Sequence, residues 1–168
     1  MQDFRVPGDA ELNTLVREVS ARLLARGWRM ATAESCTGGW IAKCCTDQAG
    51  SSAWFERGYV TYSNASKENL LGVDSVVLAE SGAVSREVAL QLAEQGRRRS
   101  GADICVAVTG IAGPDGGTED KPVGAVWFGW SVPGRTDTGL FQFAGDREAV
   151  RRQTVAHALH GLIARLER

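Results

Sequence analysis

In the segment Ala33-Glu34-Ser35-Cys36-Thr37-Gly38-Gly39 a hydroxyl and a thiol stand side by side ahead of two glycines. If a strand ends here and a helix begins, unpaired backbone N–H groups and a positive dipole end face this point. Such a place can hold a developing oxyanion, and Ser35 there can act as a nucleophile. The two glycines let a substrate approach the backbone closely. The plain alternative is a capped helix start, with Ser35 or Thr37 as a mere cap. Cys36 is a rival nucleophile, though nothing nearby in sequence lowers its thiol pKa.

A serine nucleophile needs a base. The two histidines, His157 and His160, lie far down the chain, so a Ser-His-Asp triad has no support. A lysine held neutral by desolvation, or a tyrosine, can serve instead. Tyr62-Ser63-Asn64-Ala65-Ser66-Lys67 offers both; the separation is one residue too long for the Tyr-x-x-x-Lys pair of short-chain dehydrogenases. A solvated helix lysine and a strand-end packing tyrosine are the plain readings, and the residues alone leave the choice open.

A second unusual segment runs Thr109-Gly110-Ile111-Ala112-Gly113-Pro114-Asp115-Gly116-Gly117, followed by Lys121-Pro122. An apolar strand ending in a glycine loop suits ligand binding at the carboxyl edge of an α/β sheet; the alternative is a long connection. Spacing excludes a G-x-G-x-x-G fingerprint, a P-loop and a G-x-S-x-G elbow. Arg147, beside Asp146 at a predicted helix start, opposes the dipole but can join backbone donors in holding a phosphate or carboxylate. A surface contact between Asp146 and Arg147 is the alternative. Arg97, Arg98 and Arg99 read as a solvated helix end. No Cys or carboxylate stands at ligand spacing beside the two histidines, so no metal is expected.

The elements that position these residues follow from periodicity. Leu12, Leu15, Val16, Val19, Leu23 and Leu24 mark a helix stopped by Gly27. Residues 28–33 read as a strand, 36–48 as a helix, 59–62 as a strand and 64–71 as a short helix stopped by Gly72. Ser85 caps a helix to about Arg99, and 103–109 reads as a strand covered on both faces. Residues 123–131 and 138–143 read as paired strands, and Asp146 caps a final helix. Helices alternating with strands, plus one late hairpin, predict a single-domain α/β fold over 1–168. The expected architecture is a three-layer α/β/α sandwich with a mixed sheet.

Composition narrows the classes. The chain has 168 residues, 43% hydrophobic and 23% charged, enough for one substantial core. Nineteen Lys and Arg against 20 Asp and Glu leave no broad basic field for nucleic acid. The apolar stretch from Val123 to Val132 is too short to span a bilayer, and MQDFRVPGDAELN shows no signal pattern. Cys36, Cys44, Cys45 and Cys105 form no C-x-x-C pair. A soluble cytoplasmic protein without membrane or nucleic-acid partners is expected.

Longer motifs then bear on identity. AESCTGG, GSSAWFERGYVTYSNASKENLLGV, SGAVS, AVTGIAGPDGGTEDKPVGAVWF and FAGDREAVRRQ together resemble the CinA C-terminal domain family, from about Val19 to the C-terminus. Its stand-alone members are nicotinamide-nucleotide amidohydrolases; larger members add an N-terminal domain for which this chain has no room. The resemblance implies hydrolysis of the carboxamide of nicotinamide mononucleotide to nicotinate mononucleotide and ammonia, in pyridine-nucleotide recycling. It implies no cofactor or metal, and a homodimer or higher homo-oligomer.

By the same resemblance Ser35, Tyr62, Lys67 and Thr109 are catalytic, and Arg147 falls on the family's GDR motif. Ser35 attacks the carboxamide carbon, and its proton passes to Lys67 or Tyr62. Backbone N–H groups around Thr37, Gly38 and Gly39 hold the oxyanion, with Thr109 as a further donor. Arg147 and the amides from Gly110 to Gly113 hold the phosphate. The alternatives are a non-catalytic nucleotide- or partner-binding domain, in which Ser35 is only a cap, and an amidase for another small amide.

Overall fold

The computed structural model describes residues 5–167. Residues 1–4, on which part of the N-terminal reading rests, and 168 lie outside the described residues. The chain begins with α1 (Asp9–Arg26), ended by Gly27 in the left-handed region at φ 66°. Then follow β1 (Met30–Glu34), α2 (Trp40–Asp47), a 3-10 turn at Ser51–Ala53 and β2 (Phe55–Val60). Next come α3 (Asn64–Leu71), α4 (Ser75–Ser81), α5 (Arg86–Ser100) and β3 (Ile104–Gly110). A hairpin of β4 (Ala125–Val132) and β5 (Arg135–Gln142) leads into α6 (Arg147–Leu166). Side chains cap four of these helices: Ser63, Asp74, Ser85 and Asp146 each accept from a backbone N–H in the first turn.

The five strands form one mixed sheet in the order β2-β1-β3-β4-β5. β1 runs parallel to β2 and β3, while β4 is antiparallel to both β3 and β5. Alternation along the central strands separates two cores, because successive side chains leave opposite faces. Met30, Ile104, Val106 and Val108 meet α1, α2 and α6 through residues such as Leu12, Val19, Ile41, Leu159 and Leu162. Ala31, Ala33, Cys105 and Ala107 meet α4 and α5 through Leu78, Val88 and Leu92. The second face is built of small residues, so α5 lies close to the sheet. At Gly96 a Cβ would come within 2.7 Å of Cys105 Sγ. This is the three-layer α/β/α sandwich with a mixed sheet expected from the sequence.

Three elements depart from expectation. α2 starts at Trp40 rather than Cys36, because Gly38 and Gly39 both take positive φ and keep the preceding turn out of the helix. β2 lies upstream of the expected 59–62, and α4 was not expected, its short apolar run being too brief for periodicity to register. The four cysteines are free and buried. No helix among the described residues is long and apolar enough to cross a membrane.

His157, on α6, is half-buried in an aromatic cluster. Its ring centroid lies 4.7 Å from that of Phe128 and 3.8 Å from that of Phe141. Burial, with His160 and Arg165 adding to it, pushes its pKa down to about 4 from the ordinary 6.5. Between those values the unfolded chain binds a proton that the native ring refuses, so stability falls as pH falls from about 6.5 to about 4. The loss is on the order of 2 kcal/mol once the ring's partial exposure is discounted. Melting temperature followed from pH 7 to pH 4 should fall less steeply in His157→Phe than in the wild type. Parallel curves would remove His157 from the acid limb.

Candidate active site

The carboxyl ends of β1, β2 and β3 lie side by side, since the three strands are parallel. Ser35 follows β1, Tyr62 follows β2 and Thr109 ends β3, so residues far apart in sequence reach one sheet edge. There they line a cleft of about 280 Å³ with Lys67, Asn64, Asp115 and Arg147. A larger cavity of about 520 Å³ between α1 and α2 is lined by Asn13, Val16, Arg17, Cys44, Asp47 and Gln48. It places no nucleophile beside a base, and burial pushes the Cys44 thiol up to about 11, so chemistry rather than size marks the site.

Lys67 is the unusual residue. It lies in the first half of α3 with 1% of its surface exposed. Its Nζ lies 3.1 Å from Ser35 Oγ, 2.8 Å from the Thr61 carbonyl oxygen and 3.0 Å from the Tyr62 carbonyl oxygen. No carboxylate among the described residues pairs with it. Burial without a counter-ion disfavours the ammonium and lowers its pKa. As a neutral amine it has two hydrogens, which the two carbonyls accept, and one lone pair, which is left facing the Ser35 hydroxyl.

Cys36 lines the same cleft, but burial pushes its thiol up to about 12. That leaves almost no thiolate at neutral pH, which weighs against Cys36 as a nucleophile.

Tyr62 touches Lys67 through its backbone carbonyl, not its ring. The phenol is 61% exposed, and its oxygen accepts from Arg147 Nη2 at 3.3 Å. Arg147 Nη1 donates to the Gly113 carbonyl at 2.6 Å, so the guanidinium spans from the glycine loop to Tyr62 across the mouth of the cleft. Gly110 and Gly113 both line the cleft.

The turn after Ser35 differs from expectation. Thr37 is fully buried and donates its hydroxyl to Glu34 Oε1 at 2.7 Å, while the Gly38 amide is spent on the Ser35 carbonyl at 3.0 Å. Thr37, Gly38 and Gly39 are not among the residues lining the cleft. The glycines serve left-handed backbone instead, at φ +61° and +97°. Thr109 does line the cleft, but its hydroxyl hydrogen goes to the Ala83 carbonyl at 2.9 Å. Its oxygen therefore offers lone pairs rather than a further donor.

Two residues escaped the sequence reading. Glu34 is fully buried and accepts from the Thr37 and Thr32 hydroxyls and from the Ile41 and Ala42 amides, the last two at 2.8 and 3.0 Å. A carboxylate so placed completes the open donors of α2 and suits its dipole. An acidic residue closing a strand otherwise free of charge was the available signal. Arg151 donates to the carbonyls of Cys36 and Thr37; its spacing of four from Arg147, one helical turn, was the signal there.

Similar proteins were found by sequence and by structure. The model of a family described as the CinA C-terminal domain matches residues 12–166. A nicotinamide-nucleotide amidohydrolase PncC of Escherichia coli (strain K12) is 53% identical over 155 residues, 92% of this chain and 94% of that protein. The PncC of Pseudomonas putida is 51% identical over 152 residues, 90% of this chain and 95% of that protein. The crystal structure of competence/damage inducible protein CihA from Agrobacterium tumefaciens superposes with a TM-score of 0.91 at 43% identity. That similarity covers 98% of this chain and 99% of that one.

Proposed function

The chain belongs to the CinA C-terminal domain family, and from that premise we propose that it is a nicotinamide-nucleotide amidohydrolase with a serine nucleophile. Its proposed substrate is nicotinamide mononucleotide, and the products are nicotinate mononucleotide and ammonia. The observation that carries the reading is Lys67 Nζ at 3.1 Å from Ser35 Oγ, buried, with its two other neighbours both carbonyl oxygens.

In this reading Ser35 Oγ attacks the carboxamide carbon while its proton passes to Lys67 Nζ. We place the developing oxyanion against the Cys36 amide, the next backbone donor after Ser35 on the cleft wall. Lys67 then returns the proton to the amide nitrogen, the C–N bond breaks and ammonia leaves. Water attacks the acyl carbon, giving its proton to Lys67; the ester bond breaks and the proton returns to Ser35. Thr109, holding lone pairs toward the cleft, accepts from the carboxamide nitrogen and orients it. Arg147 receives the phosphate, and the reaction feeds pyridine-nucleotide recycling.

The test is ammonia release from nicotinamide mononucleotide by the wild-type protein; no release by folded protein overturns the reading. Arg147→Ala should raise KM for the mononucleotide about 10- to 100-fold, the range expected for a charged hydrogen bond to phosphate. It should change KM for nicotinamide riboside little. Equal effects on both substrates would remove the phosphate role.

A further inference from the structure

Groups of opposite charge hold the turn that carries Ser35 from two sides. Glu34 takes the Thr37 hydroxyl and the first amides of α2. Arg151, from α6, donates Nε to the Cys36 carbonyl at 3.1 Å and Nη2 to the Thr37 carbonyl at 3.0 Å. Its guanidinium carbon is also 5.3 Å from the Trp40 ring centroid, so the planar fork has a stacking surface as well as two acceptors. Gly38 lies against it, with an added Cβ only 3.4 Å from Nη2. One helical turn earlier Arg147 holds Gly113, so α6 fastens both walls of the cleft.

We propose that Arg151 is a positioning residue for Ser35. By holding the carbonyls of Cys36 and Thr37 it fixes the peptide planes that follow the nucleophile, and so sets Ser35 Oγ against Lys67 Nζ. Ser35 has no other side-chain partner among the described residues, and its direction depends on the turn. Arg151 itself is not among the residues lining the cleft, so it stands outside the space a bound substrate would fill. Arg152 provides a matched contrast: it lies 4.8 Å from the same Trp40 ring and pairs with Asp9 and Glu148, but it holds no carbonyl of the turn.

Two readouts test this. Turnover of nicotinamide mononucleotide rests on the proposed amidohydrolase activity. The rate at which a fluorophosphonate modifies Ser35 does not; there a Ser35 O–P bond forms, fluoride leaves and the hydroxyl proton goes to Lys67. Arg151→Met should lower both kcat and the modification rate about 10- to 100-fold, the cost of a misplacement near 1 Å. KM should stay within about threefold, because a residue that touches no substrate adds little ground-state binding. Arg151→Lys, keeping the charge but losing the fork, should fall between, and it carries the test if Arg151→Met fails to fold. Arg152→Met should leave both rates within about twofold, because its ion pairs run to Asp9 and Glu148 and not to the turn that carries Ser35. An unchanged modification rate in Arg151→Met, a loss confined to KM, or an equal loss in Arg152→Met would overturn the proposal. Absence of ammonia release from the wild type would overturn the amidohydrolase reading alone, and the modification rates would still decide this one.

Discussion

Replacing Ser35 with alanine is expected to reduce ammonia release from nicotinamide mononucleotide about a thousandfold or more, the scale of losing a nucleophile. Binding should change little, since the hydroxyl contributes one contact in a cleft lined also by Arg147, Tyr62 and the glycine loop. The substitution is small, and its main structural consequence is that Lys67 keeps two of its three neighbours, the Thr61 and Tyr62 carbonyls. Ammonia release in a coupled assay, with calorimetric binding of the mononucleotide to the same preparation, separates the effects. Binding retained with release lost supports nucleophilic catalysis by Ser35. Equal release by both proteins would move the nucleophile to an activated water and leave Ser35 as a turn residue. Cys36 is a poor substitute, its thiol being held near 12 by burial.

Lys67→Met should lower kcat by about a hundred- to ten-thousandfold, the contribution usual for a positioned general base. The stem is nearly preserved, so the volume buried at this point changes little. Near-normal turnover would eliminate Lys67 as the base. The pH profile adds a second check. Burial lowers the Lys67 pKa, and only the neutral amine accepts the Ser35 proton. Wild-type kcat/KM should therefore rise with pH along a limb lying below the ordinary lysine value of 10.5, and Lys67→Met should lack that limb.

The same shift affects folding. Between the lowered native value and 10.5 the unfolded chain holds a proton that native Lys67 lacks, so stability rises with pH across that window. At pH below the native value the cost of burying the ammonium is fully present. The slope of melting temperature against pH should flatten in Lys67→Met, and an unchanged slope would mean that Lys67 is not buried in solution as described.

Much of the fold was legible because its signals are local. The 3.6-residue spacing of Leu12, Leu15, Val16, Val19 and Leu23 marks α1 without reference to the rest of the chain. Ser85 and Asp146 announce α5 and α6, and Gly27 and Gly72 announce the ends of α1 and α3. The unbroken apolar run of β3 announces a strand covered on both faces. The layered architecture follows from that alternation of elements. The start of α2 was misplaced because small residues at 36–39 suit a first helical turn as well as a left-handed turn, and the choice between them is made by side chains outside the segment. Here those partners are Glu34, which draws the Ile41 and Ala42 amides, and Arg151, which draws the Cys36 and Thr37 carbonyls.

The candidate site divides the same way. The sequence by itself determined which residue types were available: a serine at a strand end, a lysine and a tyrosine after the next strand, a glycine loop and an arginine at a helix start. It also determined the family, through motifs that run most of the chain's length. Only the tertiary structure decided what each side chain touches. It set Lys67 rather than the Tyr62 phenol beside Ser35, turned Tyr62 toward Arg147, and spent the Thr37 hydroxyl, the Gly38 amide and the Thr109 hydroxyl on the protein itself. The physical reason is that a hydrogen bond to a side chain and a lowered pKa both depend on what surrounds an atom in space. For Lys67 those surroundings come from the turn after β1, the segment after β2 and the packing of α3 against α5, none of which can be read from the lysine's own neighbours in sequence.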